Sequence, residues 1–183
     1  MKRGITLIVL MVGFLSWTSA QEVMQEQRTL LTKKTATWCP HCGAWGWTLM
    51  KNIVQDNSEK AVVVGAHYSG DLRSSAATEL VSIFGGPGQP IFYANTANLN
   101  VSSGNIDAKR TEVKNLVDNN FNQSPLVNAG LEVKDNGVDL DIKVKTEFFE
   151  STTGDYRVAV WVLENNVENA QSGQSGNPQH PFV

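Results

Sequence analysis

Thr35-Ala36-Thr37-Trp38-Cys39-Pro40-His41-Cys42 contains the only two cysteines of the chain, separated by two residues. Thr29 to Thr35 reads as a strand that delivers the chain to Cys39, and residues 40–56 read as the helix that follows. A cysteine at a helix N-terminus sits where the helix dipole favours negative charge, so its thiolate is stabilised. Cys42 is within reach to close a disulfide with Cys39. Pro40 is tolerated in the first helical turn, where a missing N–H loses nothing. His41 adds positive charge beside the thiolate. A redox-active dithiol is the favoured reading of this stretch.

Two other readings remain open. A structural disulfide closing so short a loop stabilises a fold by only about 2 kcal/mol, and a chain of 183 residues can bury a sizeable core without one. Tetrahedral zinc needs four ligands. Only His41, His67 and His180 join the two cysteines, and none repeats a ligand-pair spacing. Haem attachment needs a histidine directly after the second cysteine, where this chain has Gly43.

Residues 1–20 read as a signal peptide. Lys2 and Arg3 give a basic start, and Ile5 to Leu15 is an apolar run too short to span a bilayer. Thr18 and Ala20 are small residues at the positions a signal peptidase reads, so Gln21 would begin the mature chain. No cysteine follows that site to carry a lipid. Export places the dithiol in an oxidising compartment. Removing residues 1–20 removes two positive charges and no acids, which takes the net charge from −3 to −5. Mild acidity makes no electrostatic case for nucleic acid. No second apolar run is long enough to cross a membrane.

From residue 29 to 121 strand and helix alternate. Ala61 to His67 is a short, nearly continuous apolar run, as a buried parallel strand requires. Ser74 to Phe84 carries Ala77, Leu80, Val81 and Phe84 at helical spacing. Gly85-Gly86-Pro87-Gly88 breaks it. Ile91-Phe92-Tyr93 forms a strand with Leu99 to Val101 as its expected partner. Asn105 caps a helix with Val113, Leu116, Val117 and Phe121 on one face. Gln123-Ser124-Pro125 then reads as a linker. Beyond it the period changes to two over Val127–Val133, Val138–Phe148 and Tyr156–Leu163, with turns at Asp135-Asn136-Gly137 and Thr153-Gly154-Asp155. The organisation is therefore a signal peptide (1–20), an α/β domain (21–124) and an antiparallel β unit (125–183).

At 100° per residue the helix after the dithiol places Cys42, Trp45, Gly46, Leu49 and Ile53 on one stripe, with Trp47, Met50 and Val54 on an adjoining one. The apolar arc spans about 200°, roughly twice what one sheet face covers. Something besides the sheet is expected to cover Trp47 and Met50.

These residues resemble the thioredoxin-fold superfamily: Trp-Cys-Pro-His-Cys after a strand, then helix, strand, helix, and Gly-Gln-Pro before a strand. In that superfamily the proline before the third strand is cis and faces the disulfide, and the backbone there pairs with bound substrate. Pro90 is the matching position, preceded by Gln89. The Cys-Pro-His-Cys tetrad is similar to that of the periplasmic disulfide-oxidant class, in which the histidine stabilises the thiolate and makes the disulfide strongly oxidising. The whole chain more closely resembles the outer membrane protein 28-related family. It shares the signal peptide, Thr-Ala-Thr-Trp-Cys-Pro-His-Cys, a strand ending Gly-Ala-His67-Tyr, the Tyr156-Arg-Val-Ala-Val-Trp-Val-Leu-Glu-Asn segment and a late histidine, His180.

The resemblance implies an α/β thioredoxin-like domain followed by an antiparallel, sandwich-like β unit. It implies Cys39 as the exposed nucleophile, Cys42 as the resolving thiol, and His41 with Pro40 as tuning residues. Trp38, Gln89 and Pro90 would form the substrate surface. Protein thiols and disulfides would be the substrates, with a redox partner, no organic cofactor and no metal. The periplasm or peripheral association with the outer membrane would be the location, or secretion. Two departures matter. Thioredoxins carry a buried acid on the strand before the dithiol, whereas Leu30 to Thr37 has none and offers Lys33 and Lys34 instead. The chain also stops at His180-Pro181-Phe182-Val183, where the family continues through further strands, so the β unit is expected to be incomplete. The rival reading is a non-enzymatic, outer-membrane-associated or surface-binding protein that uses the same scaffold.

Overall fold

The computed structural model describes residues 22–180. The signal-peptide reading of residues 1–20 and the apolar ending Pro181-Phe182-Val183 lie outside the described residues. Strand β1 (Thr29–Ala36) leads into a short helix α1 (Pro40–Gly43) and then α2 (Trp45–Asn57). There follow β2 (Ala61–Ser69), α3 (Ser75–Phe84), β3 (Ile91–Ala94), β4 (Ala97–Asn98) and α4 (Ile106–Phe121). The four strands form one mixed sheet in the order β2-β1-β3-β4. β1 runs parallel to β2 and antiparallel to β3.

β1 is central and covered on both faces, so both of its lysines are buried. Alternation along the strand sends Leu31 and Lys33 to one face and Thr32 and Lys34 to the other. On the first face Leu31, Val63 and Phe92 meet Leu49, Met50 and Ile53 of α2 and Val113 and Val117 of α4. On the second face Ala66 meets Leu80 and Val81 of α3. Side chains of this size, once fully buried, contribute about 1.5–3 kcal/mol each to the fold.

Local chemistry sets the element ends. Ser74 caps α3 by accepting the Ala77 N–H at 3.0 Å. Asn105 precedes α4, but its side chain is turned back to the preceding loop. It accepts the Ser102 N–H at 2.8 Å and donates to the Asn100 carbonyl, so the expected side-chain cap is not formed. Asn95 takes a left-handed φ of 53° in the tight turn after β3. That turn pairs Ala97 and Asn98 with β3, two residues earlier than expected.

Beyond residue 125, β5 (Val127–Asp135) and β6 (Leu140–Phe148) form an antiparallel hairpin. In its turn Asp135 and Asn136 side chains accept the N–H groups of Gly137, Val138 and Asp139. Leu131, Val133, Val144 and Ile142 share one face, and Glu132, Lys134, Lys143 and Asp141 share the other. The expected third strand, Tyr156–Leu163, is not formed. Its alternation is real, but a strand also needs an edge to pair with. This segment instead borders a cleft against the apolar hairpin face, where Tyr156 meets Phe148 edge-on at 5.2 Å. A two-residue pairing of β7 (Val167–Glu168) with β8 (Gln179–His180) completes the described chain. Among the described residues no helix is long and apolar enough to cross a membrane.

Candidate functional site

Cys39 is the N-cap of α1 and has extended backbone. Its Sγ accepts the Cys42 N–H at 3.1 Å, and the two cysteines are joined as a disulfide. The single helix expected over residues 40–56 is broken at Ala44, whose ψ of −106° is non-helical. Gly43, a weak helix former, immediately precedes the break. Charge on Cys39 is therefore met by the adjacent N–H of Cys42 rather than by the field of one long helix.

The expected contrast between an exposed Cys39 and a sheltered Cys42 is absent. Cys39 is 3% exposed and Cys42 0%. Cys39 turns its sulfur inward to Cys42, and Ala36 and the ring of Tyr68 pack around the pair. Pro40 and His41 are exposed on the outer side. Trp38 is also exposed and is anchored by its Nε1–H, which donates to the Ser69 hydroxyl at 3.1 Å.

The Gln89–Pro90 peptide bond is cis. Pro90 is buried and packs against Gly46, where its ring leaves no room for a Cβ. The Gln89 carbonyl oxygen lies 3.9 Å from Cys39 Sγ. A disulfide sulfur carries no hydrogen, so this is a contact rather than a hydrogen bond. Three bonds fix the loop that carries it. Tyr68 O–H donates to Gln89 Oε1 at 2.8 Å, Lys34 Nζ to the Gly86 carbonyl at 2.8 Å, and Tyr93 O–H to the Gly85 carbonyl at 2.7 Å. The fold thus brings Gln89 and Pro90, about fifty residues downstream, to the Trp38–Cys42 segment.

The sequence offered Lys33 and Lys34 in place of the buried acid and weighed His67 and His180 only as metal ligands; the fold gathers Lys33, His67 and His180 beneath the dithiol. Lys33 is 3% exposed, donates to the Cys42 carbonyl at 3.0 Å and lies 5.7 Å from the Trp47 ring centre. Burial lowers its pKa to about 7. On the neighbouring strand, His67 faces the same side. Its ring stacks edge-on with His180 at 5.1 Å, and His180 meets Trp47 at 5.0 Å. Burial, then the neighbouring His180 and Lys33, lowers His67 to about 3. Burial also lowers His180 and Lys33 adds to this, against an opposing hydrogen bond with the Asn169 carbonyl. His67 Nδ1 has no hydrogen-bond partner among the described residues. The available signal was the location of two lysines on a strand that must be central.

Residues 171–174 bind the backbone of the dithiol loop. Gln171 Nε2 donates to the carbonyls of Ala36 and Cys39, at 3.3 and 3.1 Å. The Ser172 N–H donates to the Thr37 carbonyl at 2.8 Å, and Gln174 Nε2 donates to that of Gly43 at 2.5 Å. Gly43 is required here because the Ser172 carbonyl occupies the place a Cβ would take. Among the described residues no group of three histidine, cysteine or acidic side chains gathers into a metal site.

The chain was compared with known proteins. No family model and no curated protein matches it. Among solved structures it is similar to HBP35 of Porphyromonas gingivalis, with a TM-score of 0.66 at 18% identity. The match covers 87% of this chain and 56% of that one, so this chain spans a little over half the length of its structural neighbour. At that identity the likeness concerns the fold: a mixed α/β arrangement with a four-stranded sheet and a further β-hairpin.

Proposed function

We propose that this chain is an exported thiol–disulfide oxidoreductase built on a thioredoxin-like domain with an antiparallel β unit. The observation that carries the reading is the meeting of the Cys39–Cys42 disulfide with the Gln89 carbonyl, 3.9 Å from Cys39 Sγ. A backbone acceptor at that position can align an extended peptide across the sulfur that reacts.

A substrate thiolate attacks Cys39 Sγ. The bond between the two cysteines breaks, its electron pair leaves on Cys42, and a mixed disulfide joins Cys39 to the substrate. A second substrate thiolate then attacks the substrate sulfur and releases Cys39 as thiolate. The substrate has lost two electrons and the dithiol has gained them. In the reverse direction Cys42 resolves the mixed disulfide. The Cys42 N–H stabilises the Cys39 thiolate, and the resulting bias, as in the oxidant class the Cys-Pro-His-Cys tetrad resembles, is toward oxidising substrates. Trp38, Gln89 and Pro90 form the substrate surface. The chemistry needs no organic cofactor or metal. Cysteines of envelope or secreted proteins are the substrates, a second redox protein resets the dithiol, and the site of action is the periplasm or the outer membrane.

A second reading has one observation in its favour. Both sulfurs are buried, which suits a sealed disulfide in a non-enzymatic binding protein on the same scaffold. Reoxidation of a reduced, unfolded disulfide protein separates the two. Catalysis that disappears in Cys39→Ser supports the enzyme. A disulfide that neither oxidises that substrate nor reacts with glutathione overturns it in favour of the binding protein.

A further inference from the structure

If the disulfide exchanges with thiols, something over it has to move. Cys39 is 3% exposed, which leaves an incoming sulfur no path to its Sγ. Three groups close over this residue. The Tyr68 ring packs against the cysteine pair, the Gln89 carbonyl lies 3.9 Å from Sγ, and the Gln171 amide donates to the Cys39 carbonyl. The first two belong to β2 and to the loop that three hydrogen bonds fix. The third comes from a separate loop, residues 169–178, whose base is the β7–β8 pairing.

That loop fits the dithiol closely and is held there weakly. Glycines face each other across the contact. A Cβ on Gly43 would strike the Ser172 carbonyl, and one on Gly173, whose φ is 90°, would fall 2.6 Å from the Pro40 carbonyl oxygen. Yet residues 171–177, Gln-Ser-Gly-Gln-Ser-Gly-Asn, carry no apolar side chain to anchor them, and only Gln171 is buried. The buried contact is also incomplete, because Gln171 Oε1 finds no hydrogen-bond partner among the described residues. Burying an unpaired acceptor offsets part of what the bonds contribute. The base is better held, with His180 buried against His67 and Trp47.

We propose, on the thiol–disulfide reading above, that residues 171–174 are an autoinhibitory strap. Seated, they seal Cys39 in the resting disulfide, and the tip must loosen before a thiol reacts there. Reactivity then depends on a local opening of this loop and not on unfolding of the α/β domain. Gln171 is the latch, since its one amide holds both the Ala36 and the Cys39 carbonyl. The base stays pinned, so the strap loosens without leaving its flank of the dithiol loop.

Two rates in the mature protein test this. One is the opening of the Cys39–Cys42 bond by excess reduced glutathione. The other is hydrogen exchange of the Ser172 amide, which is bonded to the Thr37 carbonyl. Gln171→Ala removes the latch. It should speed disulfide opening by about tenfold, the loss expected from two hydrogen bonds, and Ser172 exchange should quicken with it. Amides of β1 should keep their wild-type protection. An unchanged rate of disulfide opening overturns the strap, even if the protein oxidises substrates normally. Acceleration matched by an equal loss of protection in β1 is general loosening and overturns it too. The wild-type protein gives a reading that needs no variant to fold: Ser172 must exchange faster than β1, and exchange of both only through global unfolding overturns the strap. Faster opening by glutathione in a protein that oxidises no protein substrate upholds the strap and removes the oxidoreductase reading instead.

Discussion

Trp47 and His180 meet edge to face at 5.0 Å, which brings the far end of the described chain onto the helix that follows the dithiol. The helix pattern called for a cover over Trp47 and Met50. Met50 is covered within the main core, which includes Val113 and Val117 of α4. Trp47 is covered by a residue from β8. Residues beyond 165 are thus part of the dithiol's surroundings, and several expectations depend on them.

Cys39 should carry the reactive thiol. The Cys42 N–H that reaches its sulfur and the exposed His41 next to Pro40 both favour the thiolate. After reduction, the pH dependence of alkylation should place Cys39 clearly below the ordinary thiol value of about 8.5. An ordinary value for Cys39 would contradict a tuned site.

Cys42→Ser should trap mixed disulfides with exported proteins, visible as adducts on a non-reducing gel, because the resolving thiol is gone. Cys39→Ser should trap none. Equal adducts from the two variants would show that the roles have been assigned the wrong way.

Gly43→Ala should loosen residues 171–174. A methyl group there meets the Ser172 carbonyl, which belongs to the backbone and cannot rotate away. Overpacking of this kind costs about 1–3 kcal/mol. Limited proteolysis should cut near Gln174 in the variant before the remainder of the fold is lost, while chemical denaturation reports the total loss.

Acid should weaken the fold in a window set by His67. Its folded pKa of about 3 lies below the unfolded value. Between those values the unfolded chain binds a proton that the folded chain refuses. Stability is therefore full above about pH 6.5 and falls as pH drops toward 3. His67→Phe should flatten the decline of the urea midpoint between neutrality and about pH 4, whatever its effect at pH 7. An unchanged slope would mean that His67 is not buried in its neutral form.

A second acid-sensitive site lies on the surface between α4 and α2. Lys114 and Lys60 hydrogen bonds hold Asp118 down to about 2, and an Arg110 bond lowers Asp56. A carboxylate with a depressed folded pKa contributes above its unfolded value and loses that contribution as pH falls through the folded one. Asp118→Asn should remove part of the loss below about pH 4 while leaving the His67 window unchanged. Salt should shrink its effect, since these groups remain partly open to solvent.

Much of this was legible in the chain. The spacing of Cys39 and Cys42, the apolar run at Ala61–His67 and the helical stripe of α3 each report a local period, and each element formed. Gln89 and Pro90 were placed through resemblance, and the fold brings them to the sulfurs. What was not legible is non-local. The helix break at Ala44 accompanies a carbonyl approaching from residue 172. Burial of Cys39 depends on Tyr68 and on the turn of its own side chain. Tyr156–Leu163 alternates correctly, but no sequence period reveals whether an edge lies beside it. The sequence sets Lys33 and Lys34 near the dithiol, but their burial follows only from the place of β1 at the centre of the sheet.

The bonds made by residues 171–174 also determine from which direction a guest can arrive. The carbonyls of Ala36, Thr37, Cys39 and Gly43 are already taken, all by one short segment. On the proposed reading, a visiting strand would find that flank of the dithiol loop closed to backbone pairing, which leaves the Gln89 flank. On the thiol–disulfide reading proposed above, a substrate cysteine would therefore approach the Cys39 sulfur from one side only.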